Sequence, residues 1–238
     1  PARNNQLRNS TGYQFMNRTT FRLVLLISCA HALVHAFELA LPSVEQMIGE
    51  DFEVSRKQTG MLGTTWRLPF GFGALLAGWL ADRYGSKPLL LVFLGGCIAT
   101  SLLAYWSPSL SVLFVVMFAM GCFASIYHPV GLALISRETT PENLPAALGW
   151  HGILGSIGIT SAPLIAAIVF GATDIGWRDY YVVLCLPATV IALLIVVTLP
   201  KAQRRRETTS SPTVTVATAE PETARWKSFY LLVAVGAL

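Results

Sequence analysis

Charge is scarce in this chain. Only 13% of its 238 residues are Asp, Glu, Lys or Arg, about half of the roughly 25% carried by a soluble domain, and that deficit excludes an ordinary water-soluble fold. Cysteine is scarce as well. Cys29, Cys97, Cys122 and Cys185 all lie inside apolar runs without paired spacing, which excludes a disulfide framework or zinc module and leaves them as small packing residues. A basic patch is also missing. The net charge is +4, yet the seventeen Lys and Arg residues are scattered through the segments between apolar runs, so nucleic acid is excluded as a partner. Nor is a cleavable signal visible: Pro1 to Thr20 is polar and basic, and the first apolar run is long enough to span a bilayer.

What fills the chain instead is apolar sequence, 53% of it, divided into runs of spanning length. A span needs about 20 residues at 1.5 Å rise. The expected spans run from Phe21 to Leu41 (ended by Pro42), Gln58 to Ala81, Pro88 to Trp106, Leu110 to Ser136, Pro145 to Phe170, and onward to Pro200. Ser43 to Lys57 mixes charged residues with Val44, Met47, Ile48 and Phe52 and suits an amphipathic surface segment. Trp177, Tyr180 and Tyr181 are expected as interfacial anchors. Lys201 to Ala224 is basic and then rich in Thr, Ser and Pro, the composition of a solvated linker. A seventh apolar run begins at Trp226 and stops thirteen residues later at Leu238, too short to cross.

Basic residues orient the spans. With the N-terminus inside, the inner segments hold Arg3, Arg8, Arg18, Arg22, Arg83, Lys87, Arg137, Lys201, Arg204, Arg205, Arg206, Arg225 and Lys227, and the outer ones only Arg56, Lys57 and Arg178. Thirteen against three places both ends of the six-span unit in the cytoplasm.

One polar stretch organises the rest. Gly78-Trp-Leu-Ala-Asp82-Arg83-Tyr-Gly85-Ser-Lys87-Pro88 puts charge and a turn glycine between two long apolar runs, so it reads as a tight hinge where one helix leaves the bilayer and the next re-enters. A second pattern links spans one and four. Cys29, His35 and Leu39-Ala40-Leu41 recur at identical spacing as Cys122, His128 and Leu132-Ala133-Leu134, on spans that run in opposite directions. That is the relation of inverted repeats of three helices.

The hinge, Gly78 with Asp82-Arg83, Gly85 and Lys87, resembles the loop between the second and third helices of the major facilitator superfamily of secondary transporters. With the repeat, the resemblance covers residues 21 to about 238. It implies an all-α membrane protein: a six-transmembrane-helix bundle of two inverted three-helix repeats (21–200), a cytoplasmic N-terminal segment (1–20), a cytoplasmic central loop (201–225) and the start of a truncated seventh helix (226–238). Such a bundle needs a second six-helix half, in the same full-length chain or another, with substrate between the halves. The run Ala124 to Gly131 and the histidines of span one are most similar to the fosmidomycin-resistance type of efflux permease. Span five, with Gly149, Gly152, Gly155, Gly158, Ser161 and Ala162-Pro163, presents a small-residue surface for close helix approach. It resembles a degenerate glycine-proline motif of drug-proton antiporters, with Ala162 where that motif has glycine. Met117 stands where such proteins often carry an arginine, which closes that route of proton coupling.

The chemistry is expected among buried ionisable groups. His31, His35, His128 and His151, the only histidines, fall within spans together with Glu38 and Arg67. Groups at such depth are costly and normally face a cavity or each other. His31, His35 and Glu38 are spaced by four and three, hence on one helical face. Depth counted from the span ends predicts an outer cluster, with Arg67 reaching His35 or Glu38 and exchanging that contact for an anionic substrate, and an inner layer of His128 and His151. Histidine titrates near neutral pH, so His35 and His128 are relay candidates for protons. For Asp82 the resemblance to that superfamily implies a residue that holds the two halves together in one state, through charge and a facing helix N-terminus.

The expected function is proton-coupled, alternating-access efflux of a small organic or anionic compound in the inner membrane, with lipid, protons and the second half as partners, without enzymatic chemistry or cofactor. The rival class is a membrane histidine site for a transition metal or haem; no Cys-His motif of fixed metal spacing supports it. A receptor-like or scaffold bundle would leave the buried charge without a purpose.

Overall fold

The computed structural model describes residues 16–172 and 175–199. The expected N-terminal segment up to residue 15, the central loop and the start of a seventh helix lie outside them. Seven α-helices and no strands occur among the described residues: α1 Arg18–Asp51, α2 Arg56–Tyr84, α3 Ser86–Tyr105, α4 Leu110–Ala124, α5 Tyr127–Glu138, α6 Leu144–Ala172 and α7 Trp177–Thr198. Five stretches are long and apolar enough to cross a membrane, with α4 and α5 counted together as Leu110–Glu138. The exception is α2. It is 29 residues long, but Arg56, Lys57, Arg67, Asp82 and Arg83 dilute its apolar character.

Helix ends follow local chemistry. Asn17 Oδ1 accepts from Thr20 N at 2.8 Å to cap α1. Gln58 Oε1 accepts from both the backbone N and the hydroxyl of Ser55, which closes the start of α2. The break between α4 and α5 has a covalent cause: Pro129 lacks the N–H that would continue the ladder, so it sits in the first turn of a new helix. His128 is thereby lodged at a helix break in the middle of one long span.

Two expectations about span ends are corrected. Pro42 does not end the first helix. It removes one helical bond, the one from the Glu38 carbonyl, but Ser43 Oγ donates to Leu39 O at 2.7 Å and α1 runs nine residues further with Val44 and Ile48 buried. Trp177, Tyr180 and Tyr181 are not interfacial anchors but buried packing residues. Tyr180 donates to Ala162 O at 2.7 Å, and Trp177 Nε1 reaches Asp51 Oδ2 at 3.3 Å. Arg178 pairs with the same carboxylate at 2.6 Å and donates to Ser107 O. This knot joins the end of α1, the α3–α4 turn and the start of α7.

Packing is dominated by three pairs: α1 against α6, α3 against α7, and α2 against α4. Between apolar helices, close approach supplies the attraction, and small residues permit it. Gly158 of α6 lies so near α1 that a Cβ there would stand 2.6 Å from the Cα of Ala32. Large apolar side chains such as Phe72, Leu75, Leu186 and Val197 are exposed on the outside of the bundle.

Candidate functional site

The midpoint of α1 carries the site. His31, His35 and Glu38 share one face there, as their spacing requires. His35 Nδ1 meets Glu38 Oε2 at 2.9 Å. Its Nε2 faces His31 Nε2 at 3.1 Å, and His31 Nδ1 faces the backbone carbonyl of His151 at 2.8 Å. At the other end, Arg67 Nη2 of α2 lies 3.9 Å from Glu38 Oε1. The result is one polar chain from the half-exposed Arg67 to the buried backbone of α6.

Rings from three helices enclose it. His151 stacks on His31 with centroids 3.9 Å apart and planes 9° from parallel. Tyr127 of α5 stacks more distantly, at 5.5 Å. His128 meets His31 edge-on at 5.1 Å and His35 at 5.4 Å, with Phe70 of α2 beyond it. Tyr127 is fully buried and donates its hydroxyl to Ile27 O at 2.5 Å, which ties the α5 start to α1. Gly155 makes room for the stack: a Cβ there would sit 2.6 Å from His31 Nδ1.

The structure therefore draws all four histidines into a single cluster, where an outer and an inner layer had been expected. The reason lies in α1. Its end is at Asp51 and not Pro42, so depths counted from Pro42 were short by about 14 Å at 1.5 Å per residue. His35 is midway along the helix, level with the α4–α5 break that holds His128. Tyr127, Phe70 and Gly155 were not recognised as belonging to the site. Tyr127 adjoins His128 just before Pro129, and Gly155, one helical turn from His151, belongs to the small-residue surface of span five; Phe70 has no such signal.

The hinge residues do not join this cluster. Asp82 lies about 22 Å along α2 from Arg67 at helical rise. It is exposed and makes no hydrogen bond or ion pair among the described residues. Arg83 lies 5.7 Å from the rings of both Trp79 and Tyr84. Gly85 forms the whole connection between α2 and α3 at φ 86°, ψ 163°. Lys87 donates to the carbonyls of Val196, at 2.8 Å, and Leu199, satisfying the carboxyl end of α7. Gly78 faces Pro129, 4.0 Å from a Cβ placed on it.

Among metal-ligating groups, nitrogens of His31, His35 and His128 lie within 4.8 Å of one another. A tetrahedral ion with metal–nitrogen bonds of about 2.0–2.1 Å needs its nitrogens near 3.3 Å apart. The His31–His35 pair, at 3.1 Å, has about that separation, and those two atoms already face each other as hydrogen-bond partners.

A family model described as Major Facilitator Superfamily matches residues 25–237. The chain is 26% identical over 169 residues to a multidrug resistance protein B homologue of Mycobacterium tuberculosis, which covers 70% of this chain and 30% of that protein. It is 27% identical over 215 residues to the 4-hydroxybenzoate transporter PcaK of Pseudomonas putida, 84% of this chain and 46% of that protein. It is 30% identical over 167 residues to the puromycin resistance protein pur8 of Streptomyces alboniger, 70% of this chain and 32% of that protein. The chain thus spans about a third to a half of the length of the curated relatives it matches. Among solved structures, a bacterial homologue of the human lysosomal transporter Spinster superposes with TM-score 0.71 at 16% identity, covering 80% of this chain and 45% of that one. A peptide transporter crystallised with sulfate gives 0.60 at 14% identity, over 92% and 44%. These two likenesses concern the fold.

Proposed function

This chain belongs to the major facilitator superfamily, and on that premise we propose that it supplies one six-span half of a proton-coupled, alternating-access transporter for a small organic or anionic compound. The observation that carries the reading is the polar chain Arg67–Glu38–His35–His31 at the middle of the bundle. Ionisable groups are kept at such depth where a solute or proton passes. Arg67 is the substrate contact: its side chain is 59% exposed and only loosely held by Glu38, so an anion can displace that contact. His35 and His128 are the relay, with His31 and His151 beside them.

Six spans arranged as two inverted triplets are favoured by the packing. Exchanging spans one to three with four to six turns the α1–α6 contact into the α2–α4 contact and the α3–α7 contact into itself. Those are the three dominant pairs. The second half, in the same polypeptide or another, completes the substrate cavity. The distribution of basic residues favours an inner-membrane protein with a cytoplasmic N-terminus, and Gly78, Asp82, Arg83, Gly85 and Lys87 form the gating loop between conformations. Efflux is the proposed direction. Relatives include a multidrug resistance homologue and a puromycin resistance protein as well as a 4-hydroxybenzoate transporter, so both an amine and an aromatic carboxylate are fitting probes.

The test uses the full-length protein in proteoliposomes under an imposed pH gradient, with labelled 4-hydroxybenzoate and puromycin as probes. Arg67→Ala is expected to lower transport of the carboxylate at least tenfold, the loss of about 1.4 kcal/mol that one charge-assisted contact supplies. Wild-type transport by that variant would overturn the role of Arg67; transport of either probe that ignores the gradient would overturn proton coupling.

A further inference from the structure

We propose that Glu38, His35 and His31 together hold one shared proton beyond a carboxylate and two neutral imidazoles, locked in place by the backbone carbonyl of His151. The inference deepens the proton-coupled reading and takes its consequence for transport from it, but the proton count itself rests on contacts alone.

Three contacts must each contain one hydrogen: Glu38 Oε2 to His35 Nδ1 at 2.9 Å, His35 Nε2 to His31 Nε2 at 3.1 Å, and His31 Nδ1 to His151 O at 2.8 Å. A carboxylate and two neutral rings bring only two hydrogens. The last contact fixes one of them. A carbonyl can only accept, so His31 carries a hydrogen on Nδ1, and a neutral His31 presents a lone pair at Nε2; an imidazolium His31 that donates from Nε2 to His35 leads to the same count of three. Beside a neutral His31, His35 has to donate from Nε2, or two lone pairs would face each other. With Nε2–H in place, the contact of His35 Nδ1 with Glu38 needs a further hydrogen, on the ring or on the carboxyl. Either way the trio holds three hydrogens and is neutral overall. Moving the extra proton from His35 Nδ1 to Glu38 Oε2 turns imidazolium and carboxylate into imidazole and carboxylic acid with no other bond changed.

The surroundings suit such a store. Arg67 of α2 faces the carboxylate, Tyr127 and His128 of α5 and His151 of α6 face the rings, and all but Arg67 are formally neutral partners at neutral pH. The His31 ring is flanked by the nearly parallel faces of His151 and Tyr127. His128 makes no hydrogen bond among the described residues, and His151 Nδ1 is buried without a partner among them. Among the described residues, no hydrogen bond carries the proton onward from the trio. Separating those helices breaks the carbonyl lock and frees His31 to change tautomer. An anion that draws Arg67 off Glu38 favours the carboxylic acid form, since the cation no longer supports the carboxylate.

Nitrogen-15 spectra of histidine-labelled full-length protein in lipid nanodiscs test the count. At neutral pH the wild type is expected to show a hydrogen on His31 Nδ1 and one shared hydrogen between His35 Nδ1 and Glu38, as imidazolium or as carboxylic acid, and an alkaline jump read by a pH dye should release one proton per chain from this site. Glu38→Gln supplies an amide donor to His35 Nδ1, so both rings become neutral with every contact satisfied. Any imidazolium signal should vanish in that variant and the released count fall by one. Release of no proton from this site in the wild type, His31 as the Nε2–H tautomer, or an imidazolium that survives Glu38→Gln would each overturn the inference. The wild-type spectrum decides even if the variant fails to fold. If the shared proton is present while 4-hydroxybenzoate and puromycin transport ignore a pH gradient, the store stands and the coupled-transport reading falls.

Discussion

Replacing Gly158 with alanine adds a single methyl group at the tightest part of the α1–α6 seam. An ideal Cβ at that position lies 2.6 Å from Ala32 Cα and 2.7 Å from its carbonyl carbon. These are backbone atoms, which cannot rotate away. Ordinary contact begins at 3.4 Å, so the helices must part by about 1 Å in a region packed as densely as an organic crystal. Overpacking of this kind costs about 1–3 kcal/mol, and the gain of roughly 0.5–1 kcal/mol from replacing a helical glycine offsets only part of it. The effect reaches the site because His151 lies two helical turns away on the same seam. Its carbonyl contact with His31, 2.8 Å at present, would lengthen beyond hydrogen-bonding distance. In a thermal-denaturation assay of the purified full-length protein, a loss of about 1–2 kcal/mol corresponds to a Tm lowered by roughly 2–8 °C. Gly95→Ala is the control: nothing lies within 4 Å of a Cβ there, so its Tm should stay level or rise. If Gly158→Ala melts with or above the wild type and His31 keeps its tautomer, the argument that this seam sets the geometry of the cluster is refuted.

Gly85→Ala forces a side chain into a backbone region, φ 86°, ψ 163°, that is open essentially to glycine alone. A cost of about 1–3 kcal/mol is expected, read as a lowered Tm, and an unchanged Tm would mean that the α2–α3 connection has a second conformation. Asp82→Asn removes a charge that has no partner among the described residues, so stability should change by less than about 0.5 kcal/mol. If Asp82 gates the transport cycle, turnover of the probes falls while Tm does not; normal turnover would reduce the residue to turn chemistry.

Much of the architecture was legible from composition and spacing. Scarce charge and apolar runs of bilayer length leave little besides helices, because an unpaired backbone in lipid costs several kcal/mol for each group. The tight hinge at Gly85 could likewise be foreseen, since its residues are contiguous and turn chemistry is local. Pro42 shows where local rules stop: its missing N–H argues for a helix end, yet burial of Val44 and Ile48 further along outweighs one lost hydrogen bond.

The sequence by itself determined which residues carry chemistry, because a histidine or arginine inside an apolar run is expensive wherever it ends up. It also determined that His31, His35 and Glu38 share a face, since helical periodicity needs no partner. Only the tertiary structure decided that His128 and His151 join them. That depends on how far α1 extends past Pro42, on the break that Pro129 makes between α4 and α5, and on the absence of side chains at Gly155 and Gly158. Each of these acts between helices distant in sequence, through steric fit that no spacing within a single helix can encode.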